Sequence, residues 1–194
     1  MPAGQSAPAD LLAALADALY ALRAPWYVFG AQAVLVWGRP RLTADVDVTV
    51  RLDPEEPARL VEALEARRFQ LRVSDAEGLV NRTHVLPFVY VPNGLPLDIV
   101  LAGPGLEELF LSRAVPVKIG AVTIPVISPE DLIVMKVLAA RPKDLDDVAG
   151  ILRERRDRLD LRLIRSTLRL LEAALSQNDL LPLFESEMTR AQGD

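Results

Sequence analysis

The chain has 194 residues, of which 51% are hydrophobic and 25% are charged, a balance typical of a folded globular protein. It has no cysteine and a single histidine, which excludes a disulfide framework, a thiolate nucleophile and a metal site made of several histidines. The net charge of −5 argues against a broad nucleic-acid-binding surface. We see no signal peptide and no apolar run long enough to span a membrane, and expect a cytoplasmic protein without a membrane partner.

The N-terminal part of the sequence predicts a helix, a buried strand and a second, short helix. Leucines recur at helical spacing over residues 10–22, which is typical of an amphipathic helix. The apolar run 26–29 predicts a strand, and Gly30 turns the chain from this strand into a helix over 31–37. A glycine and a proline then end that helix.

Two carboxylates open the next predicted strand. Successive side chains point to opposite faces of a strand, so Asp45, Asp47 and Thr49 share one face and three valines share the other. The apolar face can be buried in a core. Like charges held this close destabilise the fold unless a cation lies between them. A divalent ion that prefers oxygen ligands, such as Mg²⁺, is the expected guest.

The middle of the sequence predicts an amphipathic helix over 54–67 and two β-hairpins. The first hairpin turns at Asn93-Gly94, because both residues tolerate positive φ, and the second turns near Gly120. Shorter elements are expected at 69–73, 75–81 and 105–112.

A lone carboxylate, Asp98, interrupts the second arm of the first predicted hairpin. A charge in the middle of an apolar strand costs free energy unless it is paired or binds a ligand. Asp98 is therefore the natural third carboxylate of the site that Asp45 and Asp47 begin.

Helices account for the C-terminal part of the sequence. Ser128 and Pro129 predict a helix start, since serine is a favoured N-cap and proline a favoured first helical residue. The helix that follows is apolar nearly all round except for Lys136. Further helices are expected at 143–153, at 160–175 and from about residue 180.

A glycine turn followed by Asp-x-Asp on a strand resembles the first motif of the polymerase-beta-like nucleotidyltransferases. The run Arg-x-Thr-x-Asp-x-Asp from Arg41 to Asp47 is most similar to the small AbiEii-type nucleotidyltransferases of abortive-infection and toxin–antitoxin systems. Ala31 departs from the motif, because the family has Gly or Ser there. The serine contact to a phosphate is thereby lost, although a backbone N–H at the helix start can still bind phosphate.

The resemblance implies an α+β fold with a nucleotidyltransferase-like mixed β-sheet flanked by helices and a C-terminal helical segment. We expect the α/β core at residues 1–127 and the helical region at 128–194, packed on the core as a single compact unit. The resemblance also implies an NTP substrate and two Mg²⁺ ions. The expected metal ligands are Asp45, Asp47 and Asp98.

Two later segments, 128–136 and 141–147, also resemble the family. In such relatives a lysine faces the nucleotide phosphates and a nearby aspartate is needed for activity. The expected catalytic residues are Asp45, Asp47, Asp98, Lys136 and Asp147. The expected nucleotide-binding residues are Gly30, Ala31, Arg41, Thr43, Lys136 and Asp144.

The residues by themselves leave simpler alternatives open. Lys136 could be a lysine whose stem covers the core while its amine reaches water, and Arg41 could be a solvated loop charge. Asp144 could be a helix N-cap, and Asp147 could pair with Lys143.

The acceptor is not fixed by the sequence. Seven arginines and three acids between residues 153 and 169 give a local charge of +4, which is either a solvated helical face or a footprint for an RNA acceptor such as tRNA. Three functions follow: a toxin-like enzyme acting on tRNA, an enzyme that modifies a small hydroxylated molecule such as an antibiotic, and a catalytically silent domain. The candidate protein partner is an antitoxin.

Overall fold

The computed structural model describes residues 7–39, 43, 45–52 and 57–193. The chain divides into two compact units, Met1–Gln32 with Leu42–Ile127 and Ala33–Arg41 with Ser128–Asp194. That the C-terminal region packs on the core as a single unit stays a prediction.

The first unit holds the sheet and most of the helices before residue 127. The strands are β1 (Trp26–Phe29), β2 (Val46–Val50), β3 (Phe69–Leu71), β4 (Val85–Tyr90), β5 (Leu95–Leu101), β6 (Val115–Ile119) and β7 (Val122–Val126). The helices are α1 (Ala7–Leu22), α2 (Gly30–Trp37), α3 (Pro57–Glu65), α4 (Ala76–Thr83) and α5 (Leu106–Arg113). The division between the two units falls inside α2, after Gln32.

The seven strands of the described residues form one sheet in the order β3-β4-β5-β2-β1-β7-β6. The pairs β2–β5 and β1–β7 are parallel, and the other four neighbouring pairs are antiparallel. The sheet is therefore mixed, and the predicted α+β class is confirmed. The two predicted hairpins are β4–β5 and β6–β7.

The turn of the first hairpin is longer than its sequence suggests. It covers residues 91–94, and Gly94 has a φ of +71° whereas Asn93 does not have positive φ. Only the glycine therefore uses the left-handed region that favours it.

The core of the first unit lies between α1 and the sheet. Leu11, Leu15 and Leu19 of α1 are fully buried, as are Val46 and Val48 of β2. The valine face predicted for β2 is thus in the core, and its burial fixes the register that turns the acidic residues to the other face.

The second unit is helical. Its elements are α6 (Pro129–Ala139), α7 (Pro142–Arg155), a short 3₁₀ turn (Arg156–Arg158), α8 (Leu161–Leu175) and α9 (Leu180–Gly193). The Ser128 hydroxyl accepts a hydrogen bond from the Asp131 amide at 3.1 Å, as expected of an N-cap. None of the helices in the described ranges is both long and apolar enough to cross a lipid bilayer.

Candidate active site

Two of the predicted carboxylates lie side by side in the sheet. In the parallel pair β2–β5, Asp47 is directly opposite Asp98, and residues opposite each other on neighbouring strands present their side chains on the same face. Phe29 of β1 flanks Asp47, and Pro87 of β4 flanks Asp98. We call this row, Phe29-Asp47-Asp98-Pro87, the acidic row. It brings together two acids that are far apart in sequence.

A glycine allows α2 to begin against Asp47. Gly30 has a φ of +64°, and a methyl group on its Cα would lie 2.2 Å from Oδ2 of Asp47. Such a distance is well inside van der Waals contact, so no larger residue fits without moving the carboxylate. The first N–H groups of a helix have no partner within the helix, and here they begin next to an acidic side chain.

Buried residues of α2 complete this corner. The Gln32 side chain is 7% exposed, and its Nε2 donates to the backbone oxygen of Asp45 at 3.3 Å, which holds the start of β2. Ala31 is also buried. Thr43 is partly exposed, and the prediction for Arg41 lies outside the described residues.

Substitution of Gly30 by alanine is expected to damage the site more than the fold. The positive φ alone should cost about 1–2 kcal/mol of unfolding free energy, and the methyl group should also displace the Asp47 carboxylate. Gly94→Ala is the matched control, because Gly94 has a similar φ with no atom within 4 Å of the added methyl. Urea unfolding should show a loss of stability in both variants, while the nucleotidyl transfer that the sequence resemblance implies should fall only in Gly30→Ala. Equal activity of the two variants would contradict this.

Sequence reasoning did not find the partner of Asp98. Nη2 of Arg72 is hydrogen-bonded to Oδ1 of Asp98 in an ion pair. The Arg72 amide also donates to the carbonyl of Pro87 at 2.9 Å, so Arg72 continues the row beyond β4. The Asp98 side chain is 42% exposed. The free-energy cost of placing its charge in this strand is therefore smaller than its apolar sequence neighbours suggest. Only the strand register, which sequence spacing does not give, could have identified Arg72.

The acidic row has the donor chemistry for Mg²⁺ but is not a preassembled cage. Within the described ranges, no group of three or more His, Cys, Asp or Glu side chains is placed to hold a metal ion. Mg²⁺ is usually bound by one or two carboxylates together with substrate phosphates rather than by an all-protein cage. Asp47 and its neighbour Asp98 fit that requirement, with Asp45 two residues before Asp47 on the chain.

A second cluster of predicted residues lies in the helical unit. Nζ of Lys136, on α6, donates to Asp144 at 3.0 Å and to Asp147 at 2.7 Å, both on α7. All three side chains are at most 6% exposed. The alternative that the Lys136 amine reaches water is therefore wrong.

Asp144 is held as a carboxylate by its neighbours. Burial by itself would raise the pKa of the Asp144 carboxyl, but hydrogen bonds from Arg141 and Lys136 and their positive charges lower it below its ordinary value of 3.8. The alternative that Asp144 caps α7 is wrong, because Arg141 is the N-cap residue. Asp144 instead joins the two helices through Lys136.

The arginine-rich stretch is partly structural. The Arg155 guanidinium donates to the carbonyls of Val36 and Trp37 at 2.9 and 2.8 Å and lies 4.7 Å from the Trp37 ring. Arg165 makes a bidentate ion pair with Glu185, with N···O distances of 2.6 and 3.0 Å. The exposed arginines of the stretch are Arg156, Arg158, Arg162 and Arg169.

Comparison with known protein families identifies the chain. A family model described as a nucleotidyltransferase of unknown function (DUF6036) matches residues 12–177. The chain belongs to this nucleotidyltransferase family. The predicted resemblance is thereby confirmed at the level of nucleotidyltransferases, and the AbiEii type stays a prediction. No curated protein matches the sequence.

Solved structures of other proteins share the fold of this DUF6036 member. The solution structure of the antibiotic-resistance factor ANT(2″)-Ia has a TM-score of 0.59 at 13% identity and covers 89% of this chain and 97% of its own. The crystal structure of ANT(2″)-Ia in complex with adenylyl-2″-tobramycin has a TM-score of 0.52 at 15% identity, covering 95% and 99%. The lincosamide antibiotic adenylyltransferase LnuA, lincomycin-bound, has a TM-score of 0.51 at 14% identity, covering 76% and 98%.

The predicted site residues of this nucleotidyltransferase thus fall into two groups, one in each unit. Gly30, Asp47 and Asp98 lie together at the acidic row in the first unit, and Asp45 precedes Asp47 by two residues on the chain. In the second unit, Lys136 binds both Asp144 and Asp147.

Proposed function

We propose that this protein is a Mg²⁺-dependent nucleotidyltransferase that moves a nucleoside monophosphate from an NTP to an acceptor hydroxyl and releases pyrophosphate. The observation that carries the proposal is the pair Asp47 and Asp98, adjacent on parallel strands and next to the glycine at which α2 begins. The family supports transfer of a nucleotide. The fold likeness to ANT(2″)-Ia in complex with adenylyl-2″-tobramycin and to the lincosamide antibiotic adenylyltransferase LnuA is consistent with it.

The reaction needs positioning and charge rather than a protein nucleophile. The acceptor oxygen forms a bond to the α-phosphorus, the bond from that phosphorus to the bridging oxygen breaks, and pyrophosphate leaves with the bonding electrons. The hydroxyl proton passes to the Asp98 carboxylate. Phosphoryl chemistry of this kind asks the protein mainly to hold the groups in line, which fits a site without a cysteine and with one histidine elsewhere.

Asp45, Asp47 and Asp98 would hold the two Mg²⁺ ions of this proposal. Bound Mg²⁺ supplies positive charge to the reacting phosphoryl group and to the departing pyrophosphate. Gly30 and the first N–H groups of α2, which have no partner within the helix, would receive phosphate oxygens. Arg41 and Thr43, which lie between α2 and β2 in the chain, would contact the triphosphate.

A more limited role than the sequence predicts is proposed for the cluster of Lys136, Asp144 and Asp147. An ammonium group has three N–H donors, and two of those on Lys136 go to Asp144 and Asp147. The third donor is the one that the resemblance to nucleotidyltransferases assigns to a nucleotide phosphate. The two aspartates therefore position the lysine rather than bind the substrate themselves.

One candidate acceptor is tRNA, which would make the protein a toxin-like enzyme of the AbiEii type with an antitoxin partner. Four exposed arginines support this candidate: Arg156, Arg158, Arg162 and Arg169. Phosphate contacts of this kind supply most of the affinity for RNA at low salt. The net charge of −5 on the whole chain and the internal use of Arg155 and Arg165 weigh against it.

The other candidate acceptor is a small hydroxylated molecule. It is favoured by the structural relatives, since ANT(2″)-Ia is seen with adenylyl-2″-tobramycin and LnuA with lincomycin. A small acceptor does not require a basic surface, and this agrees with the overall negative charge.

Transfer of label from each α-³²P-labelled NTP, in the presence of Mg²⁺, tests the proposal and separates the acceptors. One reaction contains total tRNA and a second contains a panel of hydroxylated antibiotics. Label in RNA would support the toxin-like enzyme, and label in a small molecule would support the other candidate. If neither acceptor became labelled and Mg²⁺ with an NTP did not raise the melting temperature, the silent binding domain would be favoured and the enzyme proposal overturned.

A further inference from the structure

We propose that Arg72 is a built-in counter-ion of Asp98, which occupies the place of a divalent cation and releases the carboxylate when metal binds. The inference rests on the proposed function, since it assumes that Asp98 is a metal ligand. It assigns Arg72 a positioning role that neither the motifs nor the family likeness indicates.

Backbone register directs Arg72 at Asp98. Strand β3 ends at Leu71, and the next amide, that of Arg72, donates to the Pro87 carbonyl at 2.9 Å. Pro87 is directly opposite Asp98 in the β4–β5 pair. The Arg72 side chain therefore starts on the same row as the acids and needs to cross only the compact proline ring to reach Asp98.

The negative charges of two adjacent acids explain why a positively charged group is favourable next to Asp98. Asp98 has a second acid, Asp47, directly beside it on the neighbouring strand, and adjacent like charges are unfavourable unless positive charge is close. In this structure the Arg72 guanidinium supplies that charge to Asp98. Arg72 engages Oδ1 of Asp98, so an ion shared between Asp47 and Asp98 competes with the guanidinium for this carboxylate.

Exposure makes the exchange feasible. The side chains of Arg72 and Asp98 are 41% and 42% exposed, and ion pairs in contact with water are weak. A divalent ion brings twice the charge of a guanidinium and can displace it. The released guanidinium then lies beside the reacting phosphates, whose oxygens its planar fork of N–H groups matches.

Titration of the full-length protein with Mn²⁺ alone, followed by electron paramagnetic resonance, tests this competition without any catalytic readout. Arg72→Gln should bind Mn²⁺ about two- to fivefold more tightly than the wild type, because the competing cation is gone. Arg51→Gln is the matched control, since it breaks the exposed Arg51–Glu108 pair, which is 3.1 Å long, in the same unit. It should leave the Mn²⁺ affinity unchanged.

Further variants decide what a change in affinity means. In an Asp98→Asn background, Arg72→Gln should no longer tighten binding, while Arg72→Lys, which keeps the charge, should remain near the wild type. Equal or weaker binding by Arg72→Gln would overturn the inference and leave the proposed function standing. Absence of Mn²⁺ binding in both the wild type and Arg72→Gln would contradict the proposed metal site and the inference together.

Discussion

Asp47→Asn is expected to lower the rate of nucleotidyl transfer by at least about 100-fold. Asp47 lies at the centre of the acidic row, between Phe29 and Asp98, with Gly30 directly against its carboxylate. Its replacement by a neutral isostere would remove one charge from the proposed metal ligands. Metal ions contribute several kcal/mol to such transition states, and each 1.4 kcal/mol corresponds to a factor of ten in rate.

The measurement compares kcat/KM for Asp47→Asn, Asp17→Asn and the wild type, with melting temperatures taken in parallel. Asp17 is a suitable control because it is an exposed aspartate of α1 that pairs with Arg67 in the same unit. Its isosteric change should leave the rate unaltered. A fully active Asp47→Asn protein with a normal melting temperature would remove Asp47 from the chemistry and with it the observation on which the proposed function depends.

Local patterning predicted the elements of this fold well, and the physical reason is visible in β2. Alternation of valine with polar residues required one buried face, and Val46 and Val48 are fully buried. The same alternation assigned Asp45 and Asp47 to the other face. Ser128 and its following proline likewise began α6 as their capping chemistry requires.

The sequence by itself did not predict which strands pair when they are far apart in the chain. Nothing in the spacing of Asp47 and Asp98 states that β2 inserts between β1 and β5. The expectation that the two acids meet came from the cost of a lone charge in an apolar strand and from the family resemblance. Arg72 was missed for the same reason, because its approach to Asp98 depends on the register of β3 on β4 and of β4 on β5.

The ion cluster in the helical unit was predicted only in part. The sequence singled out Lys136, Asp144 and Asp147 separately but not their contact. The chain reverses at Ala140, which has a φ of +50°, before α7 starts at Pro142. A tight reversal of this kind, at an alanine rather than a glycine, carries no strong sequence signal, yet it is what brings α7 against α6.

Lys136→Met is expected to lower the free energy of unfolding by about 3–5 kcal/mol. The substitution keeps much of the volume but leaves Asp144 and Asp147, which are at most 5% exposed, without their shared cation. Removing one partner of a buried ion pair is strongly destabilising because the remaining charges have lost their water and a counter-ion, although Asp144 keeps its ion pair with Arg141. Urea unfolding followed by circular dichroism measures the loss.

Asp146→Asn on the same helix is the control. Asp146 is 72% exposed and pairs with Arg190 at 2.9 Å, so its loss should cost no more than about 1 kcal/mol. A Lys136→Met protein that is as stable as this control would show that the two buried carboxylates do not depend on Lys136.

The triple variant Lys136→Met with Asp144→Asn and Asp147→Asn separates support of the fold from a role on the nucleotide. Neutral side chains of similar size should recover most of the lost stability, since the cost in the single variant comes from uncompensated charge. If Lys136 also neutralises a phosphate, the stable triple variant should still bind NTP weakly and transfer slowly. If Lys136 serves only to hold α6 and α7 together, activity should return with stability. In that case the cluster contributes to the reaction only by stabilising the fold.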